Sequence, residues 1–177
     1  VLDYDQAPEG EPVTGGCNIN CGKCIKACPT GALSGNFSMD RGKCITQLNC
    51  FPEKVPPRDL LDKMGTWLYG CDICQDVCPM NNGKLTEEED FPLSAEFEEY
   101  FTFEKIFEMD EETFLRVVQP RYFYIQKDQL WIWKNNTLRA MINSGEKKYH
   151  PLIKKSRGSG DPRIRQIAEW GCDKLKL

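Results

Sequence analysis

Seven of the ten cysteines in this 177-residue chain fall in two short runs, Cys17-Asn-Ile-Asn-Cys21-Gly-Lys-Cys24-Ile-Lys-Ala-Cys28-Pro29 and Cys71-Asp-Ile-Cys74-Gln-Asp-Val-Cys78-Pro79. Short thiolate spacings that close on Cys-Pro wrap a loop around a four-iron, four-sulfur (4Fe-4S) cluster, and in two-cluster arrangements the last cysteine of each run serves the other run's cluster. The second run holds only three cysteines, so its cluster needs a donor from elsewhere. Cys44, in Arg41-Gly-Lys-Cys44-Ile, is the nearest candidate. The expected ligand sets are Cys17, Cys21, Cys24 and Cys78 for one 4Fe-4S cluster, and Cys28, Cys44, Cys71 and Cys74 for the other. The gap between Cys17 and Cys21 is one residue longer than the usual two, which makes Cys17 the irregular member.

Two other chemistries use cysteine at this density. A disulfide framework needs an even number, which ten satisfies, but it leaves the CxxC spacings and both Cys-Pro closures unexplained. Structural zinc commonly takes CxxC pairs, yet it has no use for an interlocked pattern in which each run contributes a fourth ligand to its neighbour.

The elements that position these thiolates follow from the flanking sequence. Residues 1–16 read as an extended lead-in, with Gly15-Gly16 freeing the backbone ahead of the first ligand. Thr30 to Leu33 fits a turn into a short strand, and Asn36 to Met39 followed by Cys44-Ile45 reads as a return strand, as in ferredoxins. Pro56-Pro57 breaks the chain before an expected helix from Arg58 to Trp67, with Leu60, Leu61, Met64 and Trp67 at helical spacing. The polar run Glu87-Glu-Glu-Asp90 places an expected domain boundary near residue 90.

Beyond it the period is helical. Asp110 caps a helix that stops at Pro120. The next, about Leu130 to Ser144, carries Trp131, Leu138, Met141 and Ile142 on one side and ends at Gly145. A short helix from Pro151 turns Leu152 and Ile153 inward. The last has Asp161 as cap, Pro162 at its first position, and Ile164, Ile167, Ala168, Gly171 and Leu175 on its buried stripe. Stacked as antiparallel pairs, these helices would bury their faces as HEAT-type repeats do. The expected fold class is thus α+β: a double 4Fe-4S ferredoxin-like module over residues 1–90, followed by an α-helical HEAT-like repeat tail over 91–177.

Length and charge bound the function. The chain suffices for one ordinary domain or two small ones, and its net charge is −4. No apolar run approaches a membrane span, and the start has neither the basic flank nor the apolar stretch of a signal peptide. The cytoplasm, where thiols stay reduced, is the expected compartment. Val1 rather than methionine opens the sequence, which suggests a piece of a longer protein. Residues 81–119 carry twelve acids against three bases, whereas residues 130–177 carry eleven bases against four acids. That asymmetry fits an anionic partner for the basic part, and equally a solvated helix surface.

The order CGKCIKACPTGAL, KCI and LYGCDICQDVCP, followed by NNTLRAMINSG and DPRIRQIAEWG, resembles the C-terminal two-thirds of epoxyqueuosine reductases over residues 15–177. The resemblance implies a cobalamin-binding domain, a double 4Fe-4S module and a HEAT-like domain that helps to hold tRNA. It implies reduction of the epoxide of epoxyqueuosine at the tRNA wobble position, with electrons passing through the clusters to the corrinoid from a donor such as ferredoxin or flavodoxin. The eight cysteines named above match the family's ligands. Cys17 sits one residue earlier than the family's first ligand, Met80 stands where the family has Trp after Cys-Pro, and Cys50 is an additional thiol. Cobalamin is expected only where an N-terminal domain precedes these residues, and no residue here is assigned as catalytic. Carried onto this chain, the tRNA face falls on Lys147, Lys148, Lys154, Lys155, Arg157, Arg163 and Arg165, at loops and helix starts where phosphates can be reached.

Other residues have plainer readings. Cys50 reads as a half-buried thiol, Cys172 as a packing residue, and His150 as a surface or capping residue. Tyr122, Phe123, Tyr124, Trp131 and Trp133 could stack on bases, but core packing accounts for most of them. Besides the reductase reading, a stand-alone ferredoxin-type carrier serving another corrinoid enzyme and a cluster-stapled nucleic-acid-binding module remain open. Oligomeric state has no sequence signal.

Overall fold

The computed structural model describes residues 16–18, 20–35, 37–83 and 98–177. In its first part, α1 (Lys23–Ala27) leads to an antiparallel pair, β1 (Leu33–Ser34) and β2 (Ser38–Met39), in which Leu33 faces Met39 and Ser34 faces Ser38. There follow α2 (Ile45–Cys50), α3 (Arg58–Lys63) and α4 (Ile73–Asp76). The second part holds α5 (Phe103–Glu108), α6 (Glu111–Thr113) running into a π-helical turn at Phe114–Val118, α7 (Leu130–Ser144), α8 (His150–Ser156) and α9 (Pro162–Leu175). The described residues are therefore mostly helical, with one small two-stranded sheet. The expected boundary near residue 90 and most of the lead-in lie outside them.

Two local expectations change. Cys44-Ile45 does not extend the return strand. Asp40 accepts the Gly42 N–H at 3.0 Å to open a 3-10 turn, and the Cys44 carbonyl then accepts the Leu48 N–H at 2.9 Å as the cap of α2. Helical period wins here because it buries Ile45, Asn49 and Cys50 together. The helix expected to reach Trp67 ends at Lys63. Gly65, at φ 57°, adopts the left-handed conformation that reverses the chain, so Trp67 packs from a loop.

The tail helices begin and end where their caps dictate. The Asp110 carboxylate accepts the Thr113 N–H at 2.8 Å, Thr102 caps α5, and Gly145 closes α7 at φ 69°. On α8, Ile153 is buried while Leu152 is half-exposed. Asp161 caps α9, whose Ile164, Ile167, Ala168 and Gly171 are buried together with Trp170 and Cys172.

The largest difference concerns α7. An amphipathic helix with one apolar side was expected, but from Ile132 to Ile142 every residue except Lys134 is buried. The helix is a pillar with α5 and α9 against it, and α8 packs on α9. Ile45, Leu61 and Met64 share one apolar cluster with Leu138, Met141, Ile142 and Ile167, so a single core joins the cysteine-rich part to the tail. A second cluster gathers Ile106, Phe114, Val118, Ile125, Ile132 and Trp133 on the other side of α7.

Polar residues of α7 complete the join. Asn136 Nδ2 donates to the carbonyls of Asn49 and Leu68, both at 2.9 Å, and Asn143 Nδ2 donates to those of Leu61 and Gly65 at 2.8 and 3.0 Å. Arg139, 1% exposed, donates to the Gly65 carbonyl at 2.6 Å, to the Asn49 side chain at 3.1 Å and to the Trp67 carbonyl.

The α7–α9 crossing depends on one missing methyl. A Cβ at Gly171 would lie 2.6 Å from Ile142 Cγ1 and 3.3 Å from Ile153 Cγ2. Gly171→Ala is expected to cost about 1–3 kcal/mol in urea unfolding, as overpacking does, whereas Ala substitution at exposed Glu169 changes stability by less than about 0.5 kcal/mol.

Candidate metal centre

The two cysteine runs face one another through α1 and α4, which pack together. Cys24 rides on α1 and Cys74 on α4, while Cys28 and Cys78 each follow their helix and precede proline. Asn81 Nδ2 donates to the Gln75 carbonyl at 3.0 Å and ties down the closing turn of the second run. The result is two cavities. One, of about 70 Å³, is lined by Cys17, Cys21, Cys24 and Cys78; the other, of about 50 Å³, is lined by Cys28, Cys44, Cys71 and Cys74. The chain thus brings the eight predicted ligands together in the two predicted sets of four, with the last cysteine of each run in the other run's cavity.

The size of these spaces bears on the metal. About 10–15 Å³ of such space admits one water, so both cavities exceed what a bare ion gripped by four touching sulfurs would leave. Among the described residues, no three Cys, His, Asp or Glu side chains converge on a point fit for a single ion. None of the ten cysteines is joined in a disulfide. Sulfurs ringing a volume suit a cluster whose irons are each bound by one thiolate.

The two sets differ in surroundings. Cys17 is exposed, and beside it and Cys24 opens an apolar groove of about 260 Å³ edged by Ile25, Phe37 and Met39. The second cavity is roofed by Ala32, Leu33, Ile45 and Ile73. Burial pushes the Cys71 and Cys74 thiols up. Burial also opposes ionisation of Cys28, but the Thr30 hydroxyl at 3.5 Å and the Ala32 N–H at 3.3 Å, with further N–H groups of Leu33 and Thr30, outweigh it and hold that thiol below its ordinary value. Such donors to sulfur are among the means by which a protein tunes a cluster's potential.

The remaining candidates sort by burial. Cys50 is fully buried, not half-buried, and burial raises its thiol while the Gly70 N–H points at its sulfur. Cys172 lies in the main core, and His150 is the half-buried first residue of α8. Of the predicted basic face, Lys147, Lys154, Lys155 and Arg157 are exposed. Lys148 pairs with Glu146 at 2.9 Å. Arg163 grips Asp161 at 2.7 Å and lies over the Trp131 ring at 4.0 Å, and Arg165 donates to the Ser159 and Gly160 carbonyls. Trp133 is core and Tyr122 packs on it at 5.1 Å, whereas Phe123 and Tyr124 are exposed with Phe51 beside them.

No role for Arg139 was read from the sequence, where it was counted only among the eleven bases of residues 130–177. The signal was present: Asn136, Arg139 and Asn143 follow helical spacing within a helix otherwise rich in apolar residues, which marks a polar face turned toward protein.

Residues 17–81 match the family described as the 4Fe-4S double cluster binding domain. An epoxyqueuosine reductase of Francisella cf. novicida (strain Fx1) is 32% identical over 180 residues, covering 99% of this chain and 49% of its own length. The chain is thus similar to epoxyqueuosine reductases over nearly its whole length. Among solved structures, the epoxyqueuosine reductase from Bacillus subtilis matches with a TM-score of 0.70 and 28% identity, over 93% of this chain and 43% of that one. An epoxyqueuosine reductase solved with an epoxyqueuosine-modified tRNA stem loop matches with a TM-score of 0.67 and 27% identity, over 88% and 41%. The chain therefore spans about half the length, or less, of these epoxyqueuosine reductases.

Iron and acid-labile sulfide analysis of anaerobically prepared protein tests both quartets. Eight of each per chain is expected for two cubanes. Cys44→Ser should lower both to about four, and Cys50→Ala should leave them at about eight. A Cys50 variant that loses half its iron would make Cys50 a ligand.

Proposed function

We propose that this chain is the iron–sulfur electron-transfer portion of an epoxyqueuosine reductase, relaying electrons through two 4Fe-4S clusters to a corrinoid for reduction of epoxyqueuosine in tRNA. The observation that carries the reading is the interlocked pair of cysteine quartets, each around its own cavity. When bound, the clusters would supply one-electron storage and transfer. The chain's own part is to hold them close together through Cys28 and Cys78, to present thiolates at fixed positions, and to exclude water from the second site with Ala32, Leu33, Ile45 and Ile73. A corrinoid would be carried by chain outside these 177 residues, and a small redox protein of the ferredoxin or flavodoxin type would be the electron source. A reducing compartment such as the cytoplasm suits thiolate ligands; no helix among the described residues is long and apolar enough to cross a membrane.

The helical part is the proposed docking element for tRNA. Its helix α9 packs on both α7 and α8, which supports a HEAT-like arrangement, with a division between module and tail near residue 90. The exposed Lys147, Lys154, Lys155 and Arg157 are the residues best placed to meet phosphates, because no ion pair ties them among the described residues. Lys148, exposed but paired with Glu146, and the half-buried Arg163 and Arg165 would contribute by shaping the loops.

Two measurements test this reading. The reduced protein at low temperature should give an EPR spectrum of two interacting clusters; a spectrum of one isolated cluster removes the relay. A tRNA anticodon stem-loop should bind with an affinity that falls steeply with salt. The Lys154→Glu and Lys155→Glu double change should weaken it at least tenfold and flatten the dependence of log affinity on log salt by about one to two units. Unchanged affinity would move the tRNA face elsewhere.

A further inference from the structure

Arg139 is a cation sealed in the protein interior, with no carboxylate on it among the described residues. Among those residues its guanidinium meets only neutral acceptors, the Gly65 and Trp67 carbonyls and the Asn49 side chain. The ion pairs among the described residues all involve other cations. Burial brings its pKa down to about 9, which leaves it charged at neutral pH. An uncompensated buried charge is costly, and chains keep one where a compensating charge or a function answers it.

The surroundings indicate what answers it. The Trp67 carbonyl that Arg139 grips is shared with Asn49 Nδ2 at 3.0 Å, and the same Asn49 amide reaches the Gly70 carbonyl at 3.3 Å. Gly70 is the residue before Cys71. Asn49 lies on α2, the helix that Cys44 caps, and Cys71 packs against the apolar cluster that contains Leu138 and Met141 of α7. Arg139 is therefore linked through Asn49 both to the helix that Cys44 caps and to the carbonyl of the residue before Cys71. The first cavity, lined by Cys17, Asn18, residues 21–24 and residues 78–80, shares no residue with this network.

We propose that Arg139 sets the reduction potential of the cluster held by Cys28, Cys44, Cys71 and Cys74, as a buried positive charge and as the positioning residue for the 65–70 segment that leads into Cys71. This rests on the reading of that quartet as a cluster site. One-electron reduction adds one negative charge to a site already bearing four thiolates, and in a low-dielectric interior a nearby fixed cation favours the more negative state. Arg139 thus makes the second cluster easier to reduce than it would be without that charge, and it ties that property to α7 in the helical tail.

The experiment is a potentiometric EPR titration of the full chain, prepared anaerobically with dithionite as reductant, comparing wild type with Arg139→Met and Arg139→Lys. The Cys44→Ser chain, lacking the second signal, assigns the two potentials. In Arg139→Met the reduced-to-oxidised ratio of the second cluster at a fixed poise is expected to fall about tenfold, equivalent to about 59 mV for a one-electron couple, while the first cluster stays within about twofold. Arg139→Lys, which keeps the charge and loses the fork, is expected to hold the second cluster within about threefold of wild type even though its thermal stability drops. An unchanged second cluster in Arg139→Met, or equal shifts in both clusters, overturns the proposal. Should Arg139→Met not accumulate as folded protein, Arg139→Lys decides alone, and a tenfold shift there overturns it. A wild-type protein with one cluster or none fails at the earlier step and removes the relay reading itself.

Discussion

The structure depends on how the backbone carbonyls at the end of α3 and in the segment 65–70 find partners. They lie against α7 in a half-buried stretch, and any carbonyl left buried and unsatisfied there would cost about 1–3 kcal/mol. The segment belongs to no helix or strand of its own, so the donors must come from side chains. Asn136, Arg139 and Asn143 supply them from one face of α7, and Asn49 supplies more from α2. The shape of the loop that enters Cys71 is thereby decided by residues some seventy positions later in the chain. The apolar core follows the same path, from Ile45 and Leu61 through Leu138 to Ile167.

This arrangement compensates for the weakness of the cysteine-rich part. Its helices α1 and α4 are five and four residues long, too short to persist alone, and its one sheet has two residues per strand. Metal ligation is the usual remedy in so small a unit, because binding energy becomes folding energy. The interlocking of the runs adds to it, since Cys28 and Cys78 make each site depend on both halves. Packing on α7 provides a second support that is present whether or not metal is bound.

The acidic and basic segments look different in three dimensions than in a charge count. Arg139 is internal, Arg163 and Arg165 are engaged at the entry to α9, and Lys174 pairs with Asp62 of α3 at 2.7 Å. Arg58 likewise reaches Asp173 at 2.7 Å across the same junction. Part of the apparent basic surface is thus spent on joining the tail to the module. The freely presented cations concentrate around α8, which narrows the surface on which a polyanion could rest.

Much was legible from residues alone. Cys-Pro closures and spacing sorted seven cysteines between the two cavities they line, because the exchange of last cysteines between runs follows local sequence order, and Cys44 followed as the nearest remaining donor. Capping residues located the ends of α7 and α9, since Asp161 and Gly145 act within one turn of themselves. The tertiary structure decided what depends on neighbours distant in sequence. It turned Cys44-Ile45 into the start of a helix, because α2 had a core to bury against. It enclosed α7 on all sides, which no periodicity in a single helix can reveal. It made Arg139 an internal cation instead of a surface one, because a side chain's charge is written in the sequence, but the dielectric it experiences is set by what folds over it.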